Sequence, residues 1–126
     1  MYFKGNETIY SQIAEKIKKK IFSGEYPCGT RLPAIRDLAV ACQVNPNTVV
    51  RVYQQLSEEG LIYTDGTSGK FVTPDAALLS QKKREYLRGR ALQFAREAKE
   101  AGVSEGEALT LAAAALADVF KADNVL

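Results

Sequence analysis

A chain of 126 residues, 46% of them apolar, has room for one small domain and a modest appendage. Its 17 basic and 15 acidic residues leave a net charge of only +2, and it contains no histidine, which removes the commonest general base. Two cysteines without a CxxC pair fall short of the four Cys/His-type ligands of a structural zinc site. No stretch approaches the roughly 20 uninterrupted apolar residues that span a bilayer.

The opening residues Met1–Glu7 lack the layout of a signal peptide, so the sequence reads as a cytoplasmic protein with no membrane association. Cys28 and Cys42 then read as reduced thiols, Cys42 as core packing, with a redox or intermolecular role as the alternative. No cofactor and no metal are expected. Residues 1–74 hold nine Lys/Arg against seven Asp/Glu, residues 75–103 seven against four, and residues 104–126 one against four. Basic character thus precedes an acidic end, a pattern that suits a polyanionic partner and equally a solvated surface.

The first helix is marked by Ile9, Ile13, Ile17 and Ile21, a four-residue spacing that lines up one face. Lys16, Lys18, Lys19 and Lys20 fall mostly off that face, in solvent. Ser23-Gly24 stops the helix. After a turn-rich loop, Pro33 is placed in the first turn of a second helix, whose apolar face is Ile35, Leu38, Ala39 and Cys42. Gln43-Val44 is a very short connector. Asn45 is a strong N-cap and Pro46 suits the first helical position. In this third helix Val49, Val52, Tyr53 and Leu56 form the buried face, and Gly60 ends it. Two helices joined this tightly form a helix-turn-helix.

Leu61–Thr64 and Lys70–Thr73 flank the Gly-rich run Asp65–Gly69, a hairpin signal. A hairpin after the recognition helix is the wing of a winged helix. Pro74-Asp75 marks a boundary, and Asp75 can cap a long helix reaching about Ala101. Leu87, Ala91, Phe94 and Ala98 give it a seam-like stripe. Gly102 ends that helix, and Ser104 with Glu107 forms a capping box for the last one. The last helix carries Leu109, Ala112, Leu116, Val119 and Phe120. Two helices of this size are too small to enclose a ligand pocket of several hundred Å3. Their apolar stripes suit pairing with a second copy across a twofold axis. The expected fold is mainly α with a small β-hairpin wing: a winged helix-turn-helix over 1–74 and a two-helix dimerisation segment over 75–126.

Residues 9–73 resemble the DNA-binding domain of the GntR family of bacterial regulators. The shared anchors are Ile9-Tyr10, Gln12-Ile13, Ile17, Ile21, Gly24, Gly29, Leu32-Pro33, Arg36, Leu38-Ala39, Val44, Thr48-Val49, Tyr53, Leu56, Gly60-Leu61-Ile62, Gly66, Gly69 and Phe71-Val72. The short tail is similar to that of the YtrA-type subgroup, as is the run Val44–Val49. The resemblance implies a repressor. Many family members carry Ser at the position of Ala34, a Ser/Thr-Arg pair at that of Asn45-Pro46, and Leu at that of Cys42. Such departures leave the operator sequence unreadable by analogy.

DNA contact needs cations and N–H donors for phosphate, and side chains that reach base edges. The resemblance makes Arg36 the leading contact, with pairing to Asp37 as the plainer alternative. Asn45, Asn47 and Thr48 lie at the start of the recognition helix, where free N–H groups and the helix dipole attract phosphate; Asn45 also serves as a cap. Val50 can meet a thymine methyl and Arg51 a phosphate or base, or both are ordinary exposed helix. In the wing Thr67, Ser68, Gly69 and Lys70 can approach a minor groove, though Gly66 and Gly69 also serve the turn. Tyr10 and Tyr53 read as core. No catalytic constellation or phosphate-binding fingerprint occurs, so an enzyme is not expected. The expected function is a homodimeric, sequence-specific regulator, a repressor bound to an inverted repeat on double-stranded DNA. The alternative is a winged helix used for protein contacts or non-specific DNA packaging. The sequence does not say whether a small-molecule effector exists.

Overall fold

A computed structural model describes residues 8–122. Among them run α1 (Ile9–Ser23), α2 (Ile35–Cys42), α3 (Pro46–Glu58), β1 (Ile62–Asp65), β2 (Gly69–Val72), α4 (Ala76–Glu100) and α5 (Glu105–Ala122). The fold is the expected winged helix with a helical tail. The termini of both expected domains, residues 1–7 and 123–126, lie outside the described residues.

α1 begins at Thr8, whose Oγ1 accepts from the Ser11 N–H, and stops at Gly24 in the left-handed region (φ 84°). Its buried face is Ile13, Ala14, Ile17 and Ile21. Ile9 differs from the expectation and stays 43% exposed. A helical side chain leans over the preceding turn, and the first residue has none to lean on. Lys18 also differs. It is half-buried, and its Nζ donates to Glu59 Oε1 at 2.9 Å, fastening α1 to the end of α3.

Pro33 is not in a helix. Ala34 is the N-cap of α2, and Asp37 puts a negative charge in its first turn, where the helix dipole favours one. Freed from the helix, the Pro33 carbonyl accepts the Tyr53 hydroxyl at 2.6 Å. Between α2 and α3 the chain reverses at Gln43, a non-glycine residue at φ 56°. Asn45 then caps α3: its Oδ1 accepts from the Asn47 N–H at 2.8 Å, with Pro46 behind it at the helix start.

Val49, Val52, Tyr53 and Leu56 of α3 are fully buried against α1, α2 and the base of the wing, where Leu61, Ile62 and Val72 close the core. β1 and β2 pair antiparallel, Ile62 with Val72, Tyr63 with Phe71, Thr64 with Lys70 and Asp65 with Gly69. Both strands reach one residue nearer the turn than expected, because Ser68 N–H bonds the Asp65 carbonyl and closes a tighter loop. The free edge of β2 is covered by Thr30–Leu32. Leu32 N–H donates to the Lys70 carbonyl (2.8 Å) and Val72 N–H to that of Thr30 (2.9 Å), bringing Arg31 beside Phe71.

α4 starts where Asp75 Oδ1 accepts from Leu78 N–H, and α5 where Ser104 Oγ accepts from Glu107 N–H. The described chain divides into two compact units between Lys83 and Arg84. The first turns of α4 belong to the first unit, with Leu79 packed on its core. Neither α4 nor α5 has a buried residue in the single chain.

Candidate nucleic-acid interface

The polar side of α3 and the first turn of α2 face outward. Arg36 is exposed and makes no ion pair among the described residues, with Asp37 or any other acid. It lines an open hollow with Val40, Gln43, Asn45 and Pro46. The helix-turn-helix therefore brings Arg36 and Asn45 to one surface although nine positions separate them. Asn45 is exposed with its Oδ1 engaged in the cap, Asn47 is exposed and Thr48 is half-buried.

Val50 is exposed, which both readings of it expect. It shares a cleft of about 470 Å3 between α3 and the wing with Ile35, Tyr53, Gln54, Ser57, Thr64 and Lys70. Lys70 Nζ donates to Thr64 Oγ1, its cross-strand neighbour. Thr67 and Ser68 are exposed in the hairpin turn, and Gly69 adopts φ 114°, a conformation that side chains disfavour. Arg51 is placed differently from its helix-start neighbours. Its guanidinium lies 4.0 Å from the centre of the Tyr10 ring, a cation–π contact that holds it along α1.

Sequence reasoning did not single out Gln54, Ser57, Thr64 or Arg31 as site residues. Gln54 and Ser57 follow Val50 at helical spacings of four and seven, a signal present in the sequence. Thr64 and Arg31 become visible only with the hairpin register and the strand-like run beside β2.

Tyr53 anchors the cleft floor. Burial, ahead of the neighbouring Tyr26 and Cys42, pushes its hydroxyl well above the ordinary value of 10.0, so it remains a donor to Pro33. Among the described residues no group of three or more His, Cys, Asp or Glu could hold a metal ion, and no helix is long and apolar enough to cross a membrane.

The stripe residues of the tail are open to solvent. Leu87, Phe94, Leu109, Leu116, Val119 and Phe120 are between 40% and 70% exposed. Ala91 is exposed, and Ala98 and Ala112 are half-buried.

A winged helix with an open, polar recognition helix is the architecture of helix-turn-helix DNA-binding proteins. Residues 9–72 match the model of the gntR family of bacterial regulatory proteins, and the chain belongs to that family, with a YtrA-like character. It is 31% identical over 107 residues to the HTH-type transcriptional regulator YhcF of Bacillus subtilis, covering 85% of this chain and 88% of that one. The HTH-type transcriptional repressor YtrA of Bacillus subtilis is 33% identical over 96 residues, with 75% and 74% covered. A GntR family transcriptional regulator from Listeria monocytogenes superposes with a TM-score of 0.82 at 30% identity, over 87% of this chain and 96% of the other. The family's members are transcription regulators, so the chain is not an enzyme.

Proposed function

We propose that this regulator is a cytoplasmic homodimeric repressor that binds an inverted-repeat operator. Two α3 helices enter successive major grooves of one duplex face, as dimeric helix-turn-helix proteins do. Arg36, Asn47, Thr48 and Val50 meet base edges or phosphates there, with Asn45 fixing the helix start and Arg51 steadied at the rim. The wing, through Thr67, Ser68, Gly69 and Lys70, approaches the adjacent minor groove. Residues 75–126 supply the dimer through Leu87, Ala91, Phe94, Ala98, Leu109, Ala112, Leu116, Val119 and Phe120.

One observation carries this reading: Arg36, with no ion pair among the described residues, shares an open surface with Asn45 and Pro46 at the start of α3, where a guanidinium suits phosphate and guanine recognition. The bare stripes of α4 and α5 support a second copy as the cover. The name of YtrA, a repressor, supports the sign of regulation.

Selection of bound duplexes from a random-sequence pool tests the reading. The expected product is an inverted repeat, and Arg36→Ala weakens binding to it by about 1–3 kcal/mol with an unchanged circular dichroism spectrum. Enrichment of no sequence, or wild-type affinity in the Arg36 variant, speaks against it.

A further inference from the structure

Alternate residues of a strand point to opposite faces of a hairpin. Lys70 points into the α3 cleft with Thr64. The neighbouring position, Gly69, therefore faces the other way, and that face is occupied. A Cβ built on Gly69 would lie 3.1 Å from Arg31 Nε and 3.3 Å from one of its terminal nitrogens. The Arg31 guanidinium thus takes the space a side chain at 69 would fill, with the edge formed by Nε and a terminal nitrogen turned toward Gly69 near the hairpin turn. Its backbone is fixed by the bridge to Phe71 and by the hydrogen bonds of Thr30 and Leu32 to β2. Phe71, stacked with Tyr63 at 5.7 Å, continues the same face. Arg31 is exposed and has no ion pair among the described residues, although Asp65 pairs with Gly69 in the strand register.

We infer that Arg31 is a second DNA-contacting cation of the wing, set on the hairpin face opposite Lys70, so that the wing brackets a minor groove with one positive charge toward each phosphate strand. The inference rests on the DNA-binding reading above and adds a residue to it. The geometry explains why the arginine belongs to the loop before α2 and not to the hairpin. A minor groove about 6 Å wide admits only a thin element. Glycine at 69 leaves the room that the guanidinium takes, and a long side chain from outside the hairpin supplies the positive charge on the face opposite Lys70. With its backbone fixed against β2, Arg31 also starts from a more restricted position than a free-loop residue and loses less freedom on meeting phosphate.

The test uses the full chain and the duplex that the wild-type protein selects from a random pool. Affinity is measured between about 50 and 300 mM salt, and each DNA strand is mapped by hydroxyl-radical protection. Arg31→Ala and Lys70→Ala should each weaken binding several-fold and lower the slope of log affinity against log salt by about one per bound subunit. Arg31→Lys should keep the wild-type slope. At the minor groove beside the recognition site, Arg31→Ala should lose protection on one strand and Lys70→Ala on the other. Wild-type slope and affinity in Arg31→Ala, or loss on the same strand in both variants, overturns the bracket while leaving the regulator reading intact. A wild-type chain that selects no duplex overturns both.

Discussion

Tyr53 shows how one side chain serves both packing and chemistry. Its ring fills the core and its hydroxyl reaches the Pro33 carbonyl. Because the folded state raises its pKa, the contribution is complete below pH 10.0, the ordinary value, and is lost as pH climbs toward the folded value. Urea titrations should therefore show stability falling above about pH 10 by roughly 1.4 kcal/mol per pH unit from this group, with Tyr53→Phe flattening that decline. Asn45 poses a different question, since one side chain is both cap and candidate contact. Asn45→Ala should cost about 1 kcal/mol of stability, whereas Asn45→Ser, which keeps an acceptor, should cost little. Operator affinity retained in the serine variant assigns Asn45 to capping alone; affinity lost at full stability assigns it to recognition. The cap was legible in the sequence because it is local chemistry, Asn followed by Pro. Lys18 and Arg31 were not. Their partners, Glu59 and Gly69, lie 41 and 38 positions away, and no local pattern joins them.

At the scale of elements, the helices were readable from their apolar spacing and stop signals, and the strands to within one residue. At Pro33 the sequence signal is ambiguous, because proline is compatible both with a first helical turn and with an extended approach to one. The carbonyl bond to Tyr53 accompanies the second. Turn chemistry at Pro74-Asp75 marks where the chain changes direction, not where its contacts cease. Leu79 still packs on the core, and the compact unit runs to Lys83. A fragment ending at Lys83 should accordingly melt cooperatively as a monomer. One ending at Pro74 should be less stable by about 1–2 kcal/mol, the worth of a partly buried leucine and its neighbours. Equal melting temperatures for the two fragments would place the functional boundary at Pro74 after all.

For the whole molecule the question is what covers α4 and α5. Isolated helices without a packed face are marginal in water, so α5 and most of α4 would gain from a cover, and a second copy fits their seam-like stripes. Sedimentation equilibrium should find a dimer at micromolar concentration. Joint Leu116→Asp and Phe120→Asp substitution should yield monomers with reduced helical signal and much weaker operator binding. A monomeric wild-type chain with its full helical content removes the dimer from the proposal.

Those uncovered leucines and phenylalanines carry a regulatory consequence. If only the paired form grips DNA, then at low abundance the active species grows with the square of the synthesis rate, so doubling expression raises it about fourfold by mass action. A promoter under such control would behave as a threshold device, nearly indifferent to a few stray copies and closing sharply once the cell has made enough.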